Sequence, residues 1–525
     1  MDKPFDITEE QNRQSILIAG GGISGLYCAR ELARRGHSVI VTELSDQWGG
    51  RIETSKLDGF IAEFGPMRFE PDLQPRFKQL VDSLKIELEP FTGPFAEAIE
   101  FPKYNLPEEE RGPVNNPYNA LELLKRGVLR IMGRNGNPRD PREQAWMDDQ
   151  TEANYDEFRN SAKLGDQFLW EMGFWNALSS DGVLSHQALM KIRDTGTFYH
   201  MLSDNLNAVE WTIWWLRALK TAGENLRSIQ GGSVELIDRL VAEFEENPNI
   251  NLVPNCRLLG FDPRPNQGVI ATCLLGGKNI KVHARRLILA MPQAPLKELS
   301  RSLPERITKL LDTVNGFPMV KVFFVTKEPF WDSNTPPQTR ASEMPTREVH
   351  YFYRPSDKHG MALVYTDRPA TEYWNLYITK PDQHDRAEID SNEELKNQFA
   401  RFLAKELKRA LISPDTDKHA LKLTVAAQQS FKGLSEAACA KKIADSVVTY
   451  GIRDWERSPY GAANHSWRPG IQSRRVQNLL KAFPLTGSRL ANVHICGEAF
   501  SDYSGFIEGA LNSAHLVIDA IDAAD

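Results

Sequence analysis

The sequence predicts an α/β fold built on a parallel sheet, with a helical domain and a second sheet domain inserted along the chain. Three observations support this prediction: a glycine-rich turn between an early strand and a helix, a stretch of residues 101–225 without strand alternation, and alternating apolar strands after residue 300. A chain of 525 residues is long enough for two or three domains. We therefore expect a Rossmann-like sheet that is interrupted by inserted segments.

The first element is a strand, a tight glycine turn, a helix and a second strand that ends at Glu43. Gly20 allows the sharp turn, Gly22 lets the backbone approach a pyrophosphate, and Gly25 lets the helix and strand pack closely. The pyrophosphate would then lie at the positive end of the helix dipole. Glu43 follows Gly25 by 18 residues, which suits a carboxylate that binds the adenosine ribose. This order predicts a dinucleotide site.

Composition excludes several classes of protein. The formal net charge of −7 gives no electrostatic reason to expect a nucleic acid partner. No run approaches the 18 or so apolar residues that a membrane span needs, and residues 1–14 lack the apolar core of a secretion signal. The five cysteines are scattered and form no C-x-x-C pair, which favours buried thiols in a reducing compartment. We expect a cytoplasmic protein.

Two further groups of motifs define the cofactor. After Glu43 come Gln47–Arg51 (QWGGR) and Asp58–Phe69 (DGFIAEFGPMRF), and near the other end stand Val493–Ala499 (VHICGEA) and Asp502–Ala510 (DYSGFIEGA). Together these segments resemble the flavin amine oxidase family, most closely its L-amino acid oxidase branch, and they are also similar to bacterial L-tryptophan oxidase and L-amino acid 2-monooxygenases. Taken alone, the G-G-R loop leaves a surface turn as an alternative. The resemblance implies FAD as cofactor.

In the family, the G-G-R loop lies along the pyrophosphate and flavin, and the glutamate of the last block binds the ribityl chain. The residues that the glycine turn and the resemblance together assign to FAD are Gly20, Gly22, Ile23, Ser24, Gly25, Glu43, Gly49, Gly50, Arg51, Gly65, Pro66, Met67, Arg68, Gly497, Glu498 and Phe506.

The predicted domains alternate along the chain. They are an N-terminal tail (1–14), a first FAD-binding segment (15–100), a helical domain (101–225), a second FAD-binding segment (226–300), a mixed-sheet substrate-binding domain (301–455) and a third FAD-binding segment (456–525). The apolar residues of Trp211–Trp215 are spaced as on one face of a helix, and we interpret this cluster as core or as a packing face. Ser233 is a candidate helix cap at the start of the second FAD-binding segment.

Substrate residues follow from the chemistry and the resemblance. An arginine is the expected clamp for a carboxylate, because its planar fork gives two parallel charged hydrogen bonds, and Arg68 matches the family's carboxylate-binding arginine. Tyr365 aligns with the family's substrate tyrosine, while Tyr351 and Tyr353 on a nearby strand remain alternatives.

The aromatic walls of the substrate pocket come from the last motif and from two isolated tryptophans. The resemblance assigns the carbonyl of Gly505 to the substrate amine and Phe506 to one aromatic wall, where the family often has Trp. Trp374 and Trp467 are further wall candidates, against the alternative of ordinary packing.

Lys321 stands in the apolar strand Met319–Phe324. A lysine there is either an outward-facing residue or a buried one that needs hydrogen bonds. The family places a lysine at this position, bonded through a water molecule to the reactive ring nitrogen of the flavin, where it helps the reduced flavin pass electrons to O2. The resemblance thus makes Lys321 the catalytic candidate.

The predicted function is the FAD-dependent oxidation of L-amino acids to 2-oxo acids with ammonia and hydrogen peroxide, by hydride transfer from the α carbon to the flavin. No second strand-glycine-helix unit is present for a nicotinamide, so O2 is the expected acceptor. Two alternatives stay open: an L-amino acid 2-monooxygenase that yields an amide and CO2, and a flavin-bound scaffold without turnover. The eleven histidines form no H-x-x-x-H set, and no metal is predicted. Family members commonly form dimers or larger homo-oligomers.

Overall fold

The computed structural model describes residues 14–91, 104–195, 205–221, 225–264, 268–332, 340–341, 345–346, 348–380, 386–412 and 422–525. The strands in chain order are β1 (Ile16–Ala19), β2 (Val39–Thr42), β3 (Thr54–Leu57), β4 (Phe60–Glu63), β5 (Leu88–Pro90), β6 (Lys163–Leu164), β7 (Gln167–Phe168), β8 (Arg227–Ile229), β9 (Ile250–Val253), β10 (Cys256–Arg264), β11 (Gly268–Leu275), β12 (Lys278–Ala284), β13 (Arg286–Ala290), β14 (Val314–Phe317), β15 (Met319–Thr326), β16 (Arg340–Ala341), β17 (Glu348–Arg354), β18 (His359–Asp367), β19 (Glu388–Ile389), β20 (Val447–Asp454), β21 (Asn464–Trp467) and β22 (Val493–Cys496).

The helices in chain order are α1 (Ile23–Arg34), α2 (Pro75–Ser83), α3 (Glu108–Arg111), α4 (Ala120–Ile131), α5 (Pro141–Asp148), α6 (Glu152–Ser161), α7 (Phe174–Leu178), α8 (His186–Thr195), α9 (Ala208–Thr221), α10 (Val234–Glu245), α11 (Gln293–Glu298), α12 (Glu305–Leu310), α13 (Ala370–Asn375), α14 (Glu393–Ile412), α15 (Val425–Ser430), α16 (Glu436–Asp445), α17 (Ser473–Leu480) and α18 (Ile507–Asp522).

A five-stranded parallel sheet forms the centre of the nucleotide-binding part, with strand order β22-β13-β1-β2-β9. Every residue of β1, β2, β13 and β22 is buried, which is typical of a parallel sheet covered on both faces. The chain leaves this sheet after β2 and returns at β9, leaves it for the β10-β11-β12 sheet and returns at β13, and leaves it again after β13 and returns at β22. The predicted interrupted Rossmann-like fold is confirmed.

Both faces of the parallel sheet are covered. On one face, apolar residues of α1, α2, α10 and α18 form a single core with the strands. On the other face, the antiparallel sheet β10-β11-β12 packs with α11, α12 and α17. The glycine turn after β1 therefore lies at the carboxyl edge of a sheet that is held rigidly from both sides, as suits a nucleotide site.

Residues 104–195 and 205–221 are largely helical and hold α3–α9 with one short hairpin, β6–β7. Their apolar side chains form a separate core. Trp211 and Trp215 of α9 are buried in it, as the predicted packing face requires, whereas Trp214 is only half-buried and turns toward the sheet domains.

A six-stranded antiparallel sheet follows, in the order β16-β17-β18-β15-β20-β19. Side chains alternate between its faces. Val320, Val322 and Phe324 pack toward α14 and α16, while Phe323 and Val325 pack toward the β3–β4 hairpin. Because successive side chains of a strand point to opposite faces, Lys321 lies on the same face as Phe323 and Val325. This sheet therefore presents Lys321 toward the nucleotide-binding part.

The start of α10 differs from the prediction. Ser233 does precede this helix, but its hydroxyl donates to the carbonyl of Pro66 at 2.7 Å and does not cap the helix. The first two backbone N–H groups are satisfied from the β3–β4 hairpin. The N–H of Ser233 donates to the Glu63 carboxylate at 2.5 Å, and that of Val234 donates to the Thr54 hydroxyl at 3.1 Å.

The five cysteines are all buried and carry free thiols. Among the residues with a described position, no helix combines the length and apolar character needed to cross a membrane.

Candidate active site

A cavity of about 460 Å³ lies between the parallel sheet and the six-stranded sheet. The parallel sheet contributes the turn after β1, the end of β2 and the segment after β22. The six-stranded sheet contributes side chains of β15 and β18, and the segment after β20 adds a further wall. The site thus depends on residues that are hundreds of positions apart.

The glycine turn has the geometry that its predicted role requires. Gly20 adopts φ +113°, which an L side chain rarely tolerates. A Cβ atom on Gly25 would collide with the carbonyl of Gly20, so this glycine is needed for close packing. Gly22 differs, because a Cβ atom there would meet no protein atom closer than 3.9 Å, and this residue faces the cavity. The space beside Gly22 is room for a ligand.

Glu43 and the G-G-R loop line the same cavity. The Glu43 carboxylate accepts hydrogen bonds from the backbone N–H of Gly21 at 2.7 Å and of Ser45 at 3.1 Å. Burial raises the pKa of Glu43. Gly49 donates its N–H to the carbonyl of Gly21 at 2.8 Å, which fixes the loop against the glycine turn.

Glu498 organises the opposite wall. Its carboxylate accepts hydrogen bonds from Arg51 Nη1 at 2.9 Å, from the backbone N–H of His465 at 2.9 Å and from that of Gly505 at 3.0 Å, and it contacts His465 Nδ1 at 3.1 Å. Although burial acts in the other direction, the charge of Arg51 and the hydrogen bonds lower the pKa of Glu498 to about 2. The group is therefore an anion that ties three segments of the cavity together.

Lys321 is buried, with 4% of its surface exposed, and it lines the cavity. Its ammonium group donates to the carbonyl oxygens of Glu63 at 2.9 Å and Gly65 at 2.5 Å. The outward-facing alternative is excluded. Tyr365 is its direct partner across the strands, with its ring centroid 4.9 Å from Lys321 Nζ, and the tyrosine hydroxyl donates to Met319 Sδ at 3.2 Å.

The two alternative tyrosines face the other way. Tyr351 is buried beside Trp331, in the core between the six-stranded sheet and its helices, and Tyr353 packs against the same core. Tyr365 alone of the three lines the cavity.

Most of the predicted site residues come together. Those that line the cavity are Gly20, Gly22, Ile23, Ser24, Glu43, Gly49, Gly50, Arg51, Gly65, Pro66, Lys321, Tyr365, Gly497, Glu498, Gly505 and Phe506. Gly25 does not line the cavity, and its role is to let α1 pack closely against the glycine turn. Met67 is buried in the core beneath the β3–β4 hairpin, and Arg68 is half-buried and follows the cavity-lining Pro66 by two residues.

Trp374 and Trp467 are corrections to the sequence analysis. Trp374 has no exposed surface, packs against α14 and donates its indole N–H to the carbonyl of Pro345 at 2.9 Å. Trp467 is 1% exposed, ends β21 and donates to the carbonyl of Ser501 at 2.8 Å. Both indoles fill protein cores and neither lines the cavity, so ordinary packing is the role the structure gives them.

Sequence reasoning missed four residues at or beside the site. Trp455 and Tyr460 line the cavity with their rings 5.1 Å apart. Asn464 also lines it, and its side-chain oxygen is buried without a hydrogen-bond partner in the described structure. Trp214 of α9 approaches Phe506, with ring centroids 6.1 Å apart. The sequence places Trp214 in the same apolar cluster as Trp211 and Trp215, so it carries no signal that separates Trp214 from its buried neighbours.

Comparison with known proteins decides the family. The model of a family described as flavin containing amine oxidoreductase matches residues 23–521. The chain belongs to this family. FAD is accordingly its cofactor, and the residues present fit that molecule. The open space beside Gly22, the start of α1 and the unpaired oxygen of Asn464 each offer a contact that the protein itself leaves unmade.

The most similar curated proteins found are L-amino acid oxidases. One from Cerastes cerastes is 33% identical over 118 residues, which are 22% of this chain and 22% of that protein. One from Crotalus adamanteus is 32% identical over 111 residues, or 21% of each chain. These matches span only about a fifth of the relatives' length.

Solved structures of putrescine oxidase share the fold. The wild-type enzyme bound to putrescine has a TM-score of 0.63 with 18% identity, and the comparison covers 97% of this chain and 99% of that one. A triple mutant of the same enzyme, made to redesign cofactor binding, has a TM-score of 0.64 at 18% identity and the same coverage. At this identity the likeness concerns the fold alone.

Proposed function

We propose that this flavin amine oxidoreductase oxidises L-amino acids to 2-oxo acids, with release of ammonia and hydrogen peroxide. The observation that carries the proposal is the pairing of buried Lys321 with Tyr365 on the cavity wall. Binding FAD alone requires neither side chain at this place. FAD bound in the cavity supplies the electron acceptor for the substrate and the donor to O2.

The chain's own residues divide the remaining work. Tyr365 and Arg68 are assigned to the substrate carboxylate, because a phenol and a guanidinium together supply directional donors to an anion. Phe506 forms an apolar wall, and the half-buried Trp214 stands behind it. Lys321 places a positive charge at the cavity wall, and its ammonium group is held there by hydrogen bonds to two backbone carbonyls. A site of this kind favours large apolar or aromatic side chains.

The L-amino acid assignment has two supports beyond the site: the partial identity to L-amino acid oxidases, and Arg68 within the segment that turns along the cavity at Gly65 and Pro66. The family also includes amine oxidases, so the substrate panel must contain amines. Assembly as a homo-oligomer and a cytoplasmic location remain predictions.

Product analysis tests the proposal. The purified protein with FAD should convert bulky L-amino acids into equal amounts of 2-oxo acid and hydrogen peroxide in the presence of O2. An amide with CO2 would instead identify a monooxygenase. Turnover of putrescine or other simple amines, with none of any L-amino acid, would contradict the substrate class. Arg68→Met should raise KM for amino acids while leaving oxidation of a simple amine, if any is detectable, unchanged.

A further inference from the structure

Glu63 is a buried carboxyl group behind the catalytic candidate Lys321. It ends β4, is 9% exposed, and accepts hydrogen bonds from the N–H of Ser233 at 2.5 Å and the hydroxyl of Thr54 at 2.9 Å. Both donors are neutral. Within the described part of the chain, no cationic side chain forms an ion pair with this carboxylate. A buried carboxylate without a direct cationic partner is costly to ionise.

The backbone of Glu63 also binds the side chain of Lys321. The Glu63 carbonyl accepts a hydrogen bond from the lysine ammonium at 2.9 Å, and the carbonyl of Gly65, two residues further on, accepts another at 2.5 Å. The carboxyl group and the ammonium are thus fixed by the same short segment. Because both groups are buried, ionisation of the Glu63 carboxyl group changes the electrostatic environment of the ammonium group.

The electrostatics agree with this geometry. Burial raises the pKa of Glu63 to about 7, while the hydrogen bonds from Ser233 and Thr54 and the charge of Lys321 act in the opposite direction. The other charged groups on neighbouring elements include Lys56 of β3, the buried pair of Glu53 with Arg453 at 3.2 Å, and Glu235 and Asp238 of α10. Of the charged groups around Glu63, Lys321 is the one whose charge lowers the Glu63 pKa.

We propose that Glu63 is a positioning residue whose protonation sets how much net positive charge Lys321 presents to the cavity, and thereby the rate at which electrons pass from the reduced cofactor to O2. With a neutral Glu63, the segment that binds the ammonium group carries no negative charge. With an ionised Glu63, the same segment carries one, which offsets part of the positive charge of Lys321. The inference rests on the oxidase function proposed above and adds its regulation by pH.

The reaction that reports on this is the transfer of two electrons and two protons from reduced FAD to O2, which gives oxidised FAD and hydrogen peroxide. The cofactor can be reduced chemically under anaerobic conditions and then mixed with oxygenated buffer in a stopped-flow instrument. No amino acid is needed. The outcome is therefore independent of whether the substrate class is assigned correctly.

The wild-type protein should reoxidise more slowly as the pH rises through about 7, by on the order of tenfold, as a single partly screened charge at close range would produce. Glu63→Gln should be fast and lose this step in the pH profile. Glu63→Asp keeps a titratable group and should retain it. Glu235→Gln removes a carboxylate from the same helix start and should leave the profile unchanged.

A step that persists in Glu63→Gln would overturn the proposal, whatever the substrate proves to be. Folding supplies a second readout that does not depend on activity. Because the folded-state pKa of Glu63 is raised, the folded state keeps a proton that the unfolded chain loses. Wild-type stability should therefore fall between about pH 4.5 and pH 7 relative to that of Glu63→Gln.

If the glutamine variant does not fold, infrared difference spectra of the wild type remain decisive. They should show a buried protonated carboxyl group that disappears through neutral pH and that persists in Glu70→Gln, which removes a second carboxyl group whose pKa burial raises to about 7. A wild type without such a group would contradict the inference.

Discussion

Lys321 and Tyr365 are neighbours on adjacent strands, and we propose different roles for them. Lys321→Met should slow the reaction of reduced FAD with O2 by at least tenfold, because the positive charge at the cavity wall is lost. It should change substrate affinity little. Stopped-flow reoxidation measures this directly, and reoxidation at the wild-type rate would remove Lys321 from the mechanism.

Tyr365→Phe is the matched control for that experiment. It alters the residue directly opposite Lys321 and removes only the hydroxyl that contacts Met319 Sδ at 3.2 Å. The variant should bind amino acids more weakly and reoxidise at the normal rate.

We propose that Phe506, which lines the cavity with Trp214 behind it, limits the size of the side chain that the pocket accepts. Phe506→Trp adds three heavy atoms at the wall and should lower kcat/KM for aromatic amino acids relative to small ones by about tenfold or more, since one extra methylene in a tight pocket already has an effect of that size. Trp374→Phe is the control, because Trp374 lies in a core away from the cavity. A preference that shifts equally in both variants would contradict the assignment.

At the residue scale, motifs predicted the site better than isolated side chains did. Gly22, Glu43, Arg51 and Glu498 belong to motifs whose spacing fixes their surroundings, and all four line the cavity. Trp374 has no such context, because an apolar ring suits a core and a pocket wall equally well. Its burial depends on how α14 packs against the six-stranded sheet, which is a tertiary contact that the local sequence does not show.

At the scale of elements, Glu498 joins the G-G-R loop, β21 and the segment before α18 through one carboxylate. Glu498→Gln leaves Arg51 without its anionic partner and should cost about 3 kcal/mol of folding stability, within the range for breaking a buried pair. FAD should also dissociate faster. Thermal unfolding and cofactor release measure the two effects.

The pH dependence of Glu498 has the opposite sign to that of Glu63. Its pKa is lowered from 4.5 to about 2 in the folded protein, so its stabilisation is fully present above pH 4.5 and is lost as the pH falls toward 2. The stability difference between wild type and Glu498→Gln should shrink over that interval. Glu508→Gln alters another buried carboxylate, which accepts the N–H of Phe77 at 2.8 Å, and should leave FAD release unchanged.

Elements with a strong period were predictable, and their terminal contacts were not. The strand that carries Lys321 and the helix from Ile507 follow directly from their apolar patterns. The cap of α10 did not follow, because Glu63 and Thr54 reach it from a hairpin about 170 residues earlier. A contact of that kind depends on tertiary structure and leaves no local signature.

At the scale of the whole molecule, the cavity lies between the parallel sheet and parts of the chain that are inserted between its strands. The parallel sheet supplies the cofactor-binding turn, the antiparallel sheet supplies Lys321 and Tyr365, and the helical region places Trp214 behind the cavity-lining Phe506. Composition and motifs predicted these three parts. The face that each part turns to the cavity required the assembled structure.

The most direct test of the central claim is anaerobic mixing of the FAD-loaded protein with single L-amino acids, followed by the visible absorbance of the cofactor. The yellow colour should bleach with bulky L-amino acids and return when O2 is admitted. Flavin that stays oxidised with every L-amino acid, or a purified protein that is colourless and takes up no added FAD, would contradict the account.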